Sequence, residues 1–391
     1  MRIWIIQDGE PLPGIDPGTR DWRCSILSKE LLARGHQVLW WASTFDHAQK
    51  KFRRNKPCTI ETETGMKFRL LHGPGYNSNK NPRRFLHQRA IGRAFAHEAV
   101  NFPVPDIIFC GLPLPELAEQ AIIYGHKYDV PAIIDVRDQW PDIYLTMVPS
   151  SLQRFARLLL STEFRRMERV FQSASAIVSI SETYLNWALK YAGRARCSMD
   201  RVFALGHNAP NCIRHSFQPR PKRLLIVHNV QFIVGSATFN SLLKVLHSLD
   251  SSWEVLVRPH PLNRQTWSGF LEAINTDIYL VNLGILAQEE TQEHASLEAA
   301  LEKSRVVVGS SSMTVIEAWI AGCKCIYLGG TVIRSTLLDR FSDSQNVIYV
   351  DTNTETRMIN GFINEPAVLD PVEDEFVEYI SNMHLNQQVN H

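Results

Sequence analysis

From residue 305 to residue 328 the chain reads RVVVGSSSMTVIEAWIAGCKCIYL. Residues 305–308 are a β-branched run, as expected of a strand buried on both faces. Gly309, Ser310, Ser311 and Ser312 interrupt it. Val315, Ile316, Trp319 and Ile320 then fall at helical spacing, with Thr314 or one of the serines as N-cap. Gly322 ends the helix, and residues 325–328 resume as a strand. Strand, small-residue turn, helix and strand in this order predict a parallel α/β sheet.

Such a turn has a physical use. Small side chains let an anion approach the backbone, where the first helical N–H groups and the positive end of the helix dipole face it. Ser310, Ser311, Ser312 and Thr314 add hydroxyl donors. Glu317, expected in or near the first helical turn, is placed to accept hydrogen bonds from a ribose. The unit then reads as a phosphate-and-sugar cradle at the carboxyl end of a parallel strand, where open α/β sheets bind nucleotides. The alternative is an ordinary βαβ turn whose serines only cap a helix.

The chain's 391 residues suffice for two domains. A formal net charge of +1 argues against a general nucleic-acid binder. No apolar run approaches the ~20 residues of a membrane span. Residues 1–6, MRIWII, are too short for a signal-peptide core and are followed by Asp8, so they read as a first strand. The seven cysteines are scattered, which fits free thiols and a cytoplasmic location better than a disulfide framework or a zinc site.

After the first strand comes a Gly/Pro-rich loop, GEPLPGIDPG, at 9–18. Thr19 or Asp21 is placed to cap a helix running to Arg34, with Ile26, Leu27, Leu31 and Leu32 as its apolar face. A loop this long after a first parallel strand is more often functional than a bare connection. The run GTRDWRCSILSKELLARGHQV at 18–38 resembles the start of the family-4-type glycosyltransferases, especially those that build bacterial surface polysaccharides and O-antigen. The resemblance puts Gly18, Thr19 and Arg20 at an interdomain cleft, on the acceptor side. Residues 132–136, AIIDV, form another buried strand and deliver RDQWPD at 137–142. This segment resembles the family's D-x-R-D-x-W-P, with Asp135 as its first Asp. Asp138 is the side chain expected to contact an acceptor hydroxyl, as base if the reaction inverts the anomeric centre. Alternatively, it caps the next turn or pairs with Arg137. AIVSISETYL at 176–185 also matches the family, so the resemblance spans roughly the first half.

Two segments are basic with interleaved apolar residues. One carries Lys80, Arg83, Arg84, Arg89 and Arg93; the other, expected as one helix over 151–172, carries Arg154, Arg157, Arg165, Arg166 and Arg169. Each reads either as a solvated helix face or as a surface for peripheral contact with the inner membrane or with an anionic lipid-linked acceptor.

Strands are expected at 224–227, 253–257, 277–282 and 346–351, alternating with helices. The strand at 253–257 ends in Arg258-Pro259-His260-Pro261, where Arg258 and His260 are placed to donate to a diphosphate; a turn with a capping histidine is the alternative. RPHP followed by a serine-rich loop resembles bacterial sialyltransferases and polyol-phosphate polymerases, which grip a cytidine nucleotide with these motifs. Retaining family-4 enzymes carry Glu-x7-Glu here. Glu317 matches the second glutamate, but Gly309 stands where the first belongs. GSSSMTVIEA resembles instead the inverting transferase that adds N-acetylglucosamine in cell-wall synthesis.

The expected architecture is therefore GT-B: α/β, with two Rossmann-like doubly wound parallel-sheet domains facing across a cleft. The boundaries are 1–213 for an acceptor-side domain, 214–223 for a linker, 224–363 for a nucleotide-sugar domain, and 364–391 for a tail with a helix at 372–383. The resemblance implies a glycosyltransferase with a nucleotide-sugar donor and a lipid-linked or polysaccharide acceptor, needing no metal and no further cofactor. A sugar-nucleotide epimerase or a non-catalytic scaffold of the same architecture is the alternative.

Overall fold

The computed structural model describes residues 1–16, 21–78, 81–146, 148–203, 220–227, 232–259, 267–289, 297–310, 313–328 and 344–367. Gly18, Thr19, Arg20, Lys80, His260, Ser311 and Ser312 lie outside these, as do residues 214–219 of the expected linker and the expected tail helix. The chain divides into two compact units, one carried by the described residues up to Phe203 and one by those from Arg220 onward. Arg220 already bonds within the second unit, donating to the carbonyls of Leu301 at 3.1 Å and Ser304 at 3.0 Å.

In the first unit the strands are β1 (Arg2–Ile6), β2 (Gln37–Ser43), β3 (Phe45–Asp46), β4 (Lys51–Phe52), β5 (Cys58–Glu61), β6 (Lys67–Leu71), β7 (Ile107–Gly111), β8 (Ala132–Val136), β9 (Ala176–Ser179) and β10 (Arg201–Val202). Eight of them form one sheet in the order β10-β9-β8-β7-β1-β2-β6-β5, while β3 and β4 make a separate hairpin. Only β5 runs antiparallel in the large sheet. Its central strands are largely apolar, Asp135 of β8 being the notable exception, as expected of a sheet covered on both faces. Alternation divides β1 between them: Trp4 and Ile6 join one core, Ile3 and Ile5 the other. Trp4 packs on Trp41 at 5.1 Å between ring centroids and on Tyr124 at 4.9 Å. Sequence reading missed β5 and β6. Lys67 and Arg69 break the apolar run of β6, and β5 alternates half-buried with exposed residues as an edge strand does.

The helices of this unit are α1 (Arg23–Ala33), α2 (Arg83–Glu98), α3 (Pro115–Tyr128), α4 (Asp142–Thr146), α5 (Gln153–Leu159), α6 (Ser161–Ser173) and α7 (Glu182–Ala192). The single helix expected over 151–172 is in fact broken at Leu160. The reason is a change of phase. Phe164, Met167 and Phe171 form the buried stripe of α6. Carried back at helical spacing, that stripe meets Arg157 and Gln153, so Leu158 and Leu159 fall off it. No residue of α5 is buried.

The second unit has β11 (Arg223–Val227), β12 (Glu254–Arg258), β13 (Ala287–Glu289), β14 (Val306–Gly309), β15 (Lys324–Leu328) and β16 (Val347–Val350). Its helices include α8 (Ala237–Leu246), α9 (Trp267–Asn275), α10 (Ile278–Asn282), α11 (Leu297–Lys303) and α12 (Met313–Ile320). The sheet is parallel throughout, ordered β13-β12-β11-β14-β15-β16. Counted from β11 this is 3-2-1-4-5-6, the dinucleotide-binding order. Residues 277–282, expected as a strand, are a cap plus α10. Asp277 accepts from the amides of Tyr279 at 3.1 Å and Leu280 at 3.2 Å, and that N-cap overrides the β-like composition of IYLVN. The edge position goes to β13 instead.

The break at Leu160 has a measurable consequence. Replacing Leu158 and Leu159 together with glutamine is expected to leave urea-unfolding stability within ~0.5 kcal/mol. Met167→Ala should cost ~2–5 kcal/mol. A large loss from the double substitution would mean that α5 continues the α6 core.

Candidate functional site

The carboxyl edge of the first sheet is organised by charges with almost no exposure. Asp135, in β8, is fully buried. It accepts from Arg23 Nε and Nη2, each at 3.0 Å, and from Arg137 Nε at 2.5 Å. Arg137 also donates to Glu10 in the long loop and to Cys24 Sγ. Arg23 Nη1 donates to the carbonyl of Phe203 at 2.7 Å. Burial alone would raise the Asp135 pKa, but the two guanidinium groups more than offset it and hold the carboxyl below its ordinary range. One carboxylate thus ties together the 9–16 loop, α1, β8 and the end of β10.

This network also settles how α1 begins. Asp21 does not cap it. Asp21 accepts from Ser25 Oγ at 2.5 Å and from Lys29 Nζ, and the N-cap position is Trp22 with no side-chain bond. Glu10 Oε2 takes the amide of Cys24 at 2.9 Å instead. A loop carboxylate therefore fills the helix terminus. Asp16 anchors the same loop by accepting from the Leu12 amide at 2.8 Å and from Arg53 Nη2 at 2.7 Å.

Four residues of RDQWPD are placed differently. Arg137 faces inward to Asp135 rather than pairing with Asp138. Trp140 is buried, with its ring 4.6 Å from Tyr144. Asp142 accepts from Trp187 Nε1 at 3.0 Å and Tyr191 Oη at 2.5 Å, fastening α4 to α7. Asp138 is left half-buried. Burial raises its pKa; a hydrogen bond from the Gln139 backbone and the Arg84 charge only partly counter that. A carboxylate of raised basicity at the end of a parallel strand is suited to accept a proton.

In the second unit the strand order reverses between β11 and β14. Arg258 ends β12 opposite Val227, and Val227 is opposite Gly309 at the end of β14. Arg258 and Gly309 therefore share one sheet edge, on either side of β11, and the reversal makes that edge a topological switch point. Ser310 has no exposed surface and Glu317 is 5% exposed, whereas Thr314 and Arg258 are half-buried. Glu317 sits in the second turn of α12 rather than the first. A Cβ at Gly309 would lie 2.5 Å from Cγ2 of Val315, which is itself 2% exposed. Packing of strand on helix thus forbids the glutamate that Glu-x7-Glu would place there.

Sequence reasoning missed Glu10, Arg23 and Cys24. A signal was present: a charge inside the apolar run AIIDV must find a buried partner, and arginines stand at 23 and 137. Among the described residues, no group of three or more His, Cys, Asp or Glu side chains could hold a metal ion, and no helix is long and apolar enough to cross a membrane.

No family model and no curated protein matches the sequence. Among solved structures, the chain is similar to HepE of Anabaena in complex with UDP: TM-score 0.60, 13% identity, 97% of each chain covered. It is similar to the glycotransferase of kitacinnamycin at TM-score 0.53 and 14% identity, covering 97% of this chain and 94% of that one. A putative UDP-N-acetylglucosamine 2-epimerase of Listeria monocytogenes gives TM-score 0.54 and 11% identity, with 97% and 94% covered. At such identities the likeness is one of fold: two Rossmann-like sheet domains of the GT-B architecture.

The two aspartates of the segment are expected to differ in sign. Asp135, with a depressed pKa, contributes stability above the unfolded carboxylate value of ~3.9 and loses it as pH falls through its folded value. Asp138, with a raised pKa, costs stability as pH rises through its folded value. Asp135→Asn should therefore lower unfolding stability at pH 7 by ~3–5 kcal/mol by leaving guanidinium charge unmatched, while Asp138→Asn should leave it unchanged or higher. Urea unfolding followed by circular dichroism checks both, and equal losses would contradict the assignment.

Proposed function

We propose that this chain is a glycosyltransferase that moves a sugar from a nucleoside-diphosphate donor to a hydroxyl of a lipid-linked or glycan acceptor, in assembly of a bacterial cell-surface glycan on the cytoplasmic side. The carrying observation is the 3-2-1-4-5-6 sheet of the second unit with a Gly/Ser turn after the strand at its reversal. Donor phosphate is assigned to the turn and first amides of α12, with Ser310, Ser311, Ser312 and Thr314. Arg258 and His260 stabilise the leaving diphosphate, and Glu317 binds ribose. Among the described residues of this set, Thr314 and Arg258 offer the most open surface.

On the acceptor side Asp138 takes the hydroxyl proton as the acceptor oxygen bonds to the anomeric carbon. The bond from that carbon to the phosphate oxygen breaks, and its electron pair leaves on the diphosphate. Basic side chains and helical N–H groups stabilise the charge that develops there, so the reaction as proposed needs no metal. A single displacement inverts the anomeric centre, in keeping with a glycine at 309. Gly18, Thr19 and Arg20 are assigned to the acceptor side through the family resemblance.

Membrane contact is assigned to α5 rather than α2. Leu152, Phe155, Leu158 and Leu159 are 52%, 62%, 69% and 67% exposed, with Arg154 and Arg157 exposed among them. In α2, Arg84 is half-buried and turned toward Trp140, and Arg89 faces Glu116 at 3.8 Å. Epimerisation is the second reading, favoured by the fold shared with a putative epimerase.

Thermal-shift titration with UDP, CDP, CMP and GDP is expected to single out one nucleotide; at a hundred times its Kd, ligand linkage adds ~2.7 kcal/mol. Nucleotide should then be released from the matching sugar donor only when acceptor is present, and Asp138→Asn should lower kcat ~10²–10⁴-fold. Release or sugar isomerisation without acceptor would favour the epimerase. No response to any nucleotide would leave only the scaffold.

A further inference from the structure

The first unit carries a second basic centre, which the reaction as proposed does not use. It lies where three segments meet: the β3–β4 turn, the loop after β6, and the first turn of α2. Arg84, the second residue of α2, is half-buried, and its Nε is buried with no hydrogen-bond partner among the described residues. Its guanidinium carbon stands 6.0 Å from the ring centroid of Trp140.

Arg23, Arg53, Arg137 and Arg166, buried or half-buried in the same unit, all hold carboxylates. Arg23 and Arg137 hold Asp135, Arg53 holds Asp16, and Arg166 holds Glu119 and Glu163. Arg84 makes no ion pair among the described residues. A guanidinium with a buried, unmatched N–H is costly unless an oxygen acceptor arrives.

A second cation is close by. Lys50 donates to the carbonyl of His47, and its Nζ lies 5.1 Å from the ring centroid of Tyr76. Lys50 holds φ at 57°, in the left-handed region that side-chain-bearing residues rarely adopt. Asp46 fixes this turn by accepting from the amides of Ala48 at 2.7 Å and Gln49 at 3.0 Å. His47 Nδ1 bonds Tyr76 Oη. Burial, then the Lys50 and Arg84 charges, bring the His47 pKa down to about 4, so that ring is neutral at physiological pH. Burial and the Arg84 charge also lower the pKa of Lys50. Asp8 and Asp46 are the carboxylates felt from this side, Asp138 from the other.

Arg84 thus stands between two neighbourhoods: on one side Trp140, which packs on Tyr144 and lies two residues from Asp138, and on the other Tyr76, which meets Lys50 and His47 and packs at 5.5 Å on His87, one turn along α2 from Arg84. We infer that Arg84 and Lys50 hold a phosphoryl group of the acceptor, with the acceptor's hydroxyl presented to Asp138. The ligand class is a phosphate- or diphosphate-linked saccharide carrier rather than a neutral sugar. Arg84 supplies the planar pair of N–H donors and Lys50 a point charge. This assignment rests on the reading of Asp138 as the acceptor-side base.

The test is a titration of arginine-¹⁵Nε-labelled protein followed through the Arg84 Nε–Hε resonance, assigned from its loss in Arg84→Gln. Inorganic pyrophosphate should shift that resonance saturably, while sodium chloride of equal ionic strength should not. A short-chain prenyl diphosphate should compete for the same site. Arg84→Gln and Lys50→Gln should each weaken pyrophosphate binding there about ten- to hundredfold and raise KM for a phosphorylated acceptor, with nucleotide affinity unchanged. A resonance that pyrophosphate does not move beyond the chloride control would overturn the inference, and the transferase reading would survive if a nucleotide still binds. Pyrophosphate binding without competition from the prenyl diphosphate would mark a site for free anions and equally overturn the assignment to the acceptor. Loss of all nucleotide binding, with the Arg84 response intact, would instead sink the transferase reading.

Discussion

A carboxylate with no access to water, Asp135, makes the first unit's functional edge possible. It lies in the middle of an apolar sheet, where an unpaired charge would cost several kcal/mol. Arg23 comes to it from α1 and Arg137 from the position just after β8. Glu10 closes the set by accepting from Arg137 and from the first turn of α1. Four charges of balanced sign thereby fix three separate stretches of chain. Asp138 follows directly on Arg137, so its position is inherited from this arrangement. Residues buried behind Asp138 thus hold its backbone in place, the kind of rigidity that the general-base role proposed for it requires.

The second unit solves a different problem. Here the edge is made by strand order rather than by buried charge. Because the chain goes out to β13 on one side and resumes at β14 on the other, the strand order reverses between β11 and β14, the place where open α/β sheets bind ligands. The close approach of Val315 to Gly309 packs α12 tightly on the end of β14. That same approach removes the room for a side chain at 309. The departure from Glu-x7-Glu is thus a consequence of packing, and it separates this chain from the retaining pattern that the first half resembles.

Much of the fold was legible because its signals are local. The β-branched runs of β1, β8, β11 and β14 lie between turn residues, and buried parallel strands can look like little else. The failures share a cause as well. At 277–282 an aspartate cap outweighed strand-like composition, and at 160 a change of helical phase was hidden inside a continuous arginine-rich run. At β5 the edge position, and at β6 the place next to it, allowed charges that disguise a strand. For the site, Asp135, Arg137 and Asp138 were visible as a segment, but their division of labour was not. Arg23 is 112 residues away from Asp135 in sequence, and only the closed sheet brings them into contact. Arg84 was legible as a basic residue on a helix, and nothing local marked it as half-buried with no ion pair among the described residues.

Transfer as proposed requires a nucleotide seated at the reversal of the second sheet. The most direct measurement is a crystal structure of the protein with the nucleoside diphosphate that stabilises it. The expected result is a diphosphate with its oxygens ~2.7–3.1 Å from main-chain amides at the start of α12, beside the end of β12. A nucleotide bound on the first sheet, or density at the second sheet's other edge with the Gly/Ser turn untouched, would contradict it.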